Sequence, residues 1–155
     1  MKTYNDLINE ALPHIKEIFP WDLEEKLAQP EKPIIVDVRE ADEFNAMHIE
    51  GSIFVPRGLL EQACEWDYDD TIPELVKARD KEIVVVCRSG NRSVMAAFTM
   101  KLLGYQNVAS LKTGIRGWND YEQPMVDNRG HEVDIDDADE FLRNKVREDQ
   151  KSPKS

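Results

Sequence analysis

The chain has 155 residues, 41% of them hydrophobic, and a formal net charge of −11 at pH 7. That length suits one domain with a real core and is too short for two of ordinary size. Thirty-one acidic against twenty basic residues disfavour nucleic acid and anionic membrane surfaces as partners. No apolar run approaches a membrane span and Met1 to Asp6 hold no apolar leader segment, so a cytoplasmic location is the expectation.

Tyr4, Leu7, Ile8, Ala11 and Leu12 recur at helical spacing, predicting an amphipathic helix over 3–12 that Pro13 ends and that serves as a packing extension. His14 to Phe19 read as a brief edge strand, and Pro20 opens a helix to about Ala28. Ile34 to Val38 have the near-continuous apolar pattern of a strand buried on both faces, followed by a helix from Glu40 to about Ala46. Asp37 and Arg39 fall at the carboxyl end of that strand and read as structural support, with Arg39 expected to pair with Glu43 on the helix. His48 to Pro56 form a turn into a short strand, and His48 reads as a structural histidine. Residues 57–80 read as an irregular or helical insertion in which Asp67, Asp69 and Asp70 make a solvated turn. Cys64, in the same insertion, reads as partly buried packing in preference to a sulfur relay.

Ile83-Val84-Val85-Val86 are a further buried strand, and Val94 to Leu103, stopped by Gly104, are a nearly all-apolar helix. Between them lies Cys87-Arg88-Ser89-Gly90-Asn91-Arg92-Ser93. A turn from strand to helix gathers backbone N–H groups at the helix N-terminus, where the helix dipole also favours an anion or a thiolate. Two arginines, small polar residues and a glycine continue a core poorly, so Cys87 reads as a reactive cysteine, with Arg88 and Arg92 adding local positive charge.

Asn107 to Leu111 read as the last strand, and Lys112 to Trp118 as a glycine-containing turn into a short helix. Beyond Pro124 the chain turns polar. Phe141, Leu142 and Val146 are expected to seat a terminal helix, the acidic run Glu132 to Glu140 to be a solvated helix start, and Lys151 to Ser155 to be disordered. Two cysteines are too few for a disulfide framework, and the three histidines have no ligand spacing, so no metal is expected. The alternation of strands and helices predicts an α/β fold with an open, mostly parallel sheet, whose sites gather beyond the strands' carboxyl ends.

From about Ile15 to Pro124 the chain resembles the rhodanese (sulfurtransferase) family. The resemblance rests on four motifs in the family's order: Asp37-Val38-Arg39; His48-Ile49-Glu50-Gly51-Ser52 leading to Pro56; Cys87-x-x-Gly90-x-Arg92; and Gly114 to Trp118 with Pro124. The family often has glycine at the positions of Met47, Thr113 and Glu122. The resemblance implies helices on both faces of the sheet and three segments: a helical extension over 1–14, a rhodanese-like domain over 15–124, and an acidic helix with a tail over 125–155. It implies that Cys87 carries sulfur as a covalent persulfide, with no cofactor. Arg88, Ser89, Gly90, Asn91 and Arg92 would cradle a small sulfur anion such as thiosulfate, supported by Asp37, Arg39 and Ser93. A thiol or a sulfur-carrier protein would accept the sulfur, and cyanide would do so in an assay. A rhodanese-like binding module is the alternative from another class. Phosphatases and arsenate reductases of related fold use a Cys-x5-Arg loop, whereas this chain has Cys-x4-Arg, a smaller cradle better suited to one sulfur atom.

Overall fold

The computed structural model describes residues 1–153; Lys154 and Ser155, part of the tail expected to be disordered, lie outside the described residues. Five strands, β1 (Lys16–Ile18), β2 (Ile34–Asp37), β3 (Ile53–Phe54), β4 (Glu82–Val86) and β5 (Asn107–Leu111), form one parallel sheet ordered β1-β5-β4-β2-β3. β4 sits in the middle, so both its faces are covered. Ile83, Val85 and Cys87 point into one apolar cluster, Val84 and Val86 into the other, as the two-residue side-chain period of a strand requires.

The helices are α1 (Tyr4–Ala11), α2 (Pro20–Leu27), α3 (Ala41–Ala46), α4 (Leu60–Ala63), α5 (Pro73–Val76), α6 (Asn91–Leu102), α7 (Gly114–Asp120) and α8 (Ile135–Leu142). One face of the sheet is covered by α4, α5 and α6 through Leu60, Leu75, Ala96 and Met100. The other is covered by α2, α7 and α8 through Leu23, Ile115, Trp118, Ala138 and Leu142. This is the predicted α/β architecture with helices on both faces.

β1 is an edge strand, as its brevity suggested, and 57–80 holds a 3₁₀ turn together with α4 and α5. α1 starts at a capping box, Thr3 with Asp6, and packs on α6, where Ile8 and Ala11 meet Val94. At the far end, Val146 does not seat the terminal helix. It lies beyond α8 and is 50% exposed, and the contact is made by Ala138 and Leu142 because these two face the sheet from the same side of α8. The acidic start of α8 is capped by Asp134, which accepts the Asp136 and Asp137 N–H groups.

Candidate active site

Chain order leads from β2 outward to β3 and then back across β2 to β4, so the topology switches direction between β2 and β4. Crevices beyond the carboxyl ends of strands open at such a point. Asp37 ends β2 there and Cys87 follows β4, in register through Asp37 opposite Val86.

Gly90 caps α6 in the left-handed conformation (φ 97°) and turns the chain from strand to helix, which brings the loop back over the Cys87 sulfur. Cys87 Sγ accepts the N–H of Gly90 at 3.1 Å and of Ser93 at 3.3 Å. The thiol also lies 3.3 Å from Ser93 Oγ, which is 2.7 Å from Ser110 Oγ. Arg88, Ser89, Asn91 and Arg92 N–H groups have no acceptor among the described residues. The loop therefore directs two donors, the Gly90 and Ser93 N–H groups, at the Cys87 sulfur and leaves four more free at the N-terminus of a 12-residue helix.

The carbonyls of the loop are turned the other way by α7. Ile115 N–H donates to Cys87 O at 2.8 Å and Arg116 N–H to Arg88 O at 2.9 Å. This approach is possible only because residue 114 is glycine: a Cβ there would stand 2.5 Å from Cys87 O. Gly114 thus fixes the polarity of the cradle from outside it. Thr113, beside it, sits at φ 69°, and Glu122 at φ 59°. Two of the three positions where the family often has glycine therefore carry left-handed backbone.

The arginines are committed elsewhere. Arg88 Nη2 donates to Leu142 O at 2.5 Å and Arg143 O at 3.0 Å, so its guanidinium caps α8. Arg92 forms a two-pronged pair with Glu43 of α3, both contacts 2.9 Å. Burial alone would raise the Glu43 carboxyl, but hydrogen bonds from Arg92 and the Glu40 N–H, with the Arg92 and Arg39 charges, hold it below its ordinary value. The expected Arg39–Glu43 pair does not form. Arg39 folds back instead onto Asp37, with Nε 3.0 Å from Oδ1 and Nη2 2.9 Å from Oδ2, and Nη2 reaches Met47 O at 2.6 Å. Both members of that pair are fully buried, where a bidentate partner two residues away outcompetes one on the half-exposed helix.

Ser89 and Asn91 are exposed on the loop. Ser89 also borders a cavity of about 560 Å³ shared with Trp21, Thr113, Arg116 and Tyr121. His48 is tied into the structure as expected: its Nδ1 lies 2.8 Å from Phe44 O and its ring stacks on Phe44. Ser110 was not anticipated. Its only signal is a hydroxyl within the otherwise apolar run Val108-Ala109-Ser110-Leu111. Among the described residues no helix is long and apolar enough to cross a membrane.

The model of the rhodanese-like domain matches residues 20–121. A putative sulfur carrier protein of Bacillus subtilis, YrkF, is 35% identical over 111 residues, covering 71% of this chain and 54% of that protein. The chain thus spans about half the length of that relative. A putative mitochondrial thiosulfate sulfurtransferase of Schizosaccharomyces pombe is 30% identical over 115 residues, 68% of this chain and 81% of that one. Among solved structures, a Rhodopseudomonas palustris protein of unknown function, described as a possible tyrosine phosphatase, is similar with TM-score 0.70 and 28% identity over 81% of this chain and 95% of that chain. A rhodanese-related protein of Thermoplasma volcanium is similar with TM-score 0.58 and 29% identity, over 72% and 97% of the two chains. The fold, the loop and these likenesses converge: the chain belongs to the rhodanese-like domain family.

Proposed function

We propose that this chain is a sulfurtransferase of the thiosulfate type, in which Cys87 takes up sulfane sulfur as a persulfide and hands it to a thiol. A general role in sulfur transfer is what the family and its relatives support. The observation that carries the finer reading is the Cys87 sulfur held by the Gly90 and Ser93 N–H groups, inside a loop whose other N–H groups have no protein acceptor. A bound anion of about that size would complete their hydrogen bonding.

In the first half-reaction the Cys87 thiolate attacks the outer sulfur of thiosulfate, an S–S bond to Cys87 forms, and the sulfur–sulfur bond of the donor breaks. The electron pair leaves with sulfite, and the terminal persulfide sulfur keeps the negative charge inside the cradle. In the second half-reaction an acceptor thiolate attacks that terminal sulfur, and the Cys87 thiolate returns. The cradle supplies fixed dipoles that need no rearrangement as the charge moves from one sulfur to the next. Arg88 and Arg92 contribute by shaping the loop, since their guanidiniums face α8 and Glu43. The cavity bordered by Ser89 lies on the α7 side of the loop and offers a larger acceptor, such as a sulfur-carrier protein, a place to dock beside it.

Phosphate-ester hydrolysis is the second reading, raised by the description of the Rhodopseudomonas palustris neighbour. The test runs both chemistries on one preparation: thiocyanate formed from thiosulfate and cyanide, and p-nitrophenol released from p-nitrophenyl phosphate. Thiocyanate turnover without phenol release is the expected result. Phenol release that Cys87→Ser abolishes, without sulfur transfer, would overturn the proposal.

A further inference from the structure

With both loop guanidiniums committed, the hydrogen bonds that hold an oxyanion at the mouth of the site fall to neutral donors. One such donor comes from outside the segment that matches the family, which begins at residue 20. α1 and the turn that follows it run parallel to α6. His14 stacks beside Phe98 with ring centroids 5.0 Å apart and its carbonyl accepts Lys101 Nζ, while Ile8 and Ala11 pack on Val94 nearer the start of α6. Tyr4, Ile8 and Ala11 share one stripe of α1 at spacings of four and three residues. Continuing that stripe one turn beyond Ile8 carries Tyr4 past Val94 to the first turn of α6, where the Cys87 loop ends. Ile8 and Ala11 are buried because α6 lies under them, whereas Tyr4 has overrun its end and is 53% exposed. Its hydroxyl has no hydrogen-bond partner among the described residues.

We propose that Tyr4 forms the α1 side of the mouth and donates its phenolic hydrogen to an oxygen of the sulfonate end of the donor, making it a specificity residue for oxyanion-bearing sulfur donors. The proposal rests on the sulfur-transfer reading and deepens it. Charge coupling agrees with the placement. The phenol's proton is held more tightly than usual, first by partial burial and then by the negative charge of Cys87, with Arg92 pulling the other way. A neutral donor suits this position: in the persulfide state the departing sulfite leaves an anion behind, and a tyrosine hydroxyl releases it more readily than a cation would.

The experiment compares wild type with Tyr4→Phe, which keeps the ring and its packing. Each is loaded from thiosulfate and, separately, from glutathione persulfide, which has no sulfonate, and sulfite is tested as an inhibitor of thiosulfate turnover. Tyr4→Phe should lower kcat/KM for thiosulfate by about tenfold, the size of one hydrogen bond to a charged group, and weaken sulfite inhibition similarly. Loading from the persulfide donor should stay unchanged. Equal loss with both donors, or no loss with either, overturns the role of Tyr4 while leaving the sulfurtransferase reading intact. Wild type that loads only from the persulfide also overturns it, because no oxyanion is then handled. Wild type that loads from neither donor overturns the proposed function itself, and the Tyr4 role with it.

Discussion

The two cysteines occupy opposite ends of α6 and opposite chemical surroundings. Both are buried, Cys87 at 1% exposure and Cys64 at 0%, and both belong to the same apolar cluster. Cys87 lies under the N-terminus of α6 with backbone N–H groups aimed at its sulfur. Cys64 ends α4 near the C-terminus of α6: Arg79 bonds Cys64 O at 2.7 Å and Leu103 O at 3.0 Å. The helix between them is about 18 Å long at 1.5 Å per residue. Burial pushes the Cys64 thiol up, against a hydrogen bond with Tyr105 and the charge of Arg79. Burial alone therefore says little about a cysteine's chemistry. What separates the two is whether fixed donors replace the water that burial removes. A sulfur relay through Cys64 would have to cross the length of the helix through packed core, which argues for packing as its role.

The comparison breaks most sharply if the donors around Cys87 are misdirected while both cysteines stay in place. Gly114→Ala does this, because its Cβ would press on Cys87 O and force apart α7 and the loop. The expected outcome is a loss of sulfur loading greater than tenfold and a fall in stability of about 2 kcal/mol, read by persulfide formation and by denaturant unfolding. Unchanged loading would show that the α7 contact does not set the cradle's polarity.

Cys64→Ser sharpens the contrast from the other side. A hydroxyl in that apolar site should cost about 1–2 kcal/mol of stability and leave the loading rate within about twofold. A large selective loss in delivery to a protein acceptor, with normal loading and normal stability, would restore the relay.

The smallest effect concerns the tie that anchors the loop to α3. Glu43 has a folded pKa below its unfolded one, so its contribution is present above the ordinary carboxylate range and is lost as pH falls through the lowered value. Arg92 is held more firmly protonated by Glu43 and does not titrate in that range. Thermal midpoints of wild type and Glu43→Gln should differ at neutral pH and converge as pH falls through the lowered Glu43 value. A constant gap at all pH values would place the effect of the substitution in packing.

The strand–loop–helix unit around Cys87 was legible because its signals are local: a β-branched run, a cluster of small and basic residues, an apolar helix and a terminal glycine. The long-range partners were not. Arg39 and Glu43 stand at helical spacing, yet Arg39 turns back to Asp37 and Glu43 takes Arg92 from 49 residues away. Charge spacing along a helix names the pairs a helix allows, and tertiary structure chooses among them. Arg88 likewise read as a charge for the substrate, while its guanidinium reaches α8 more than 50 residues on. Tyr4 was visible only as the first member of an apolar stripe, because nothing in α1 states how far it runs along α6. The family's preference for glycine at 113 and 122 has a physical counterpart in the left-handed backbone there, whereas Met47 is extended and needs none.

The central claim is that Cys87, held by the loop's N–H groups, is the sulfur carrier. It is tested most directly by the intact mass of reduced wild type and Cys87→Ser before and after thiosulfate, followed by cyanide. The account predicts that wild type gains one sulfur atom, that cyanide removes it as thiocyanate, and that Cys87→Ser, with an unchanged thermal midpoint, gains none. Equal gain by the variant, or gain that maps to Cys64, would contradict it.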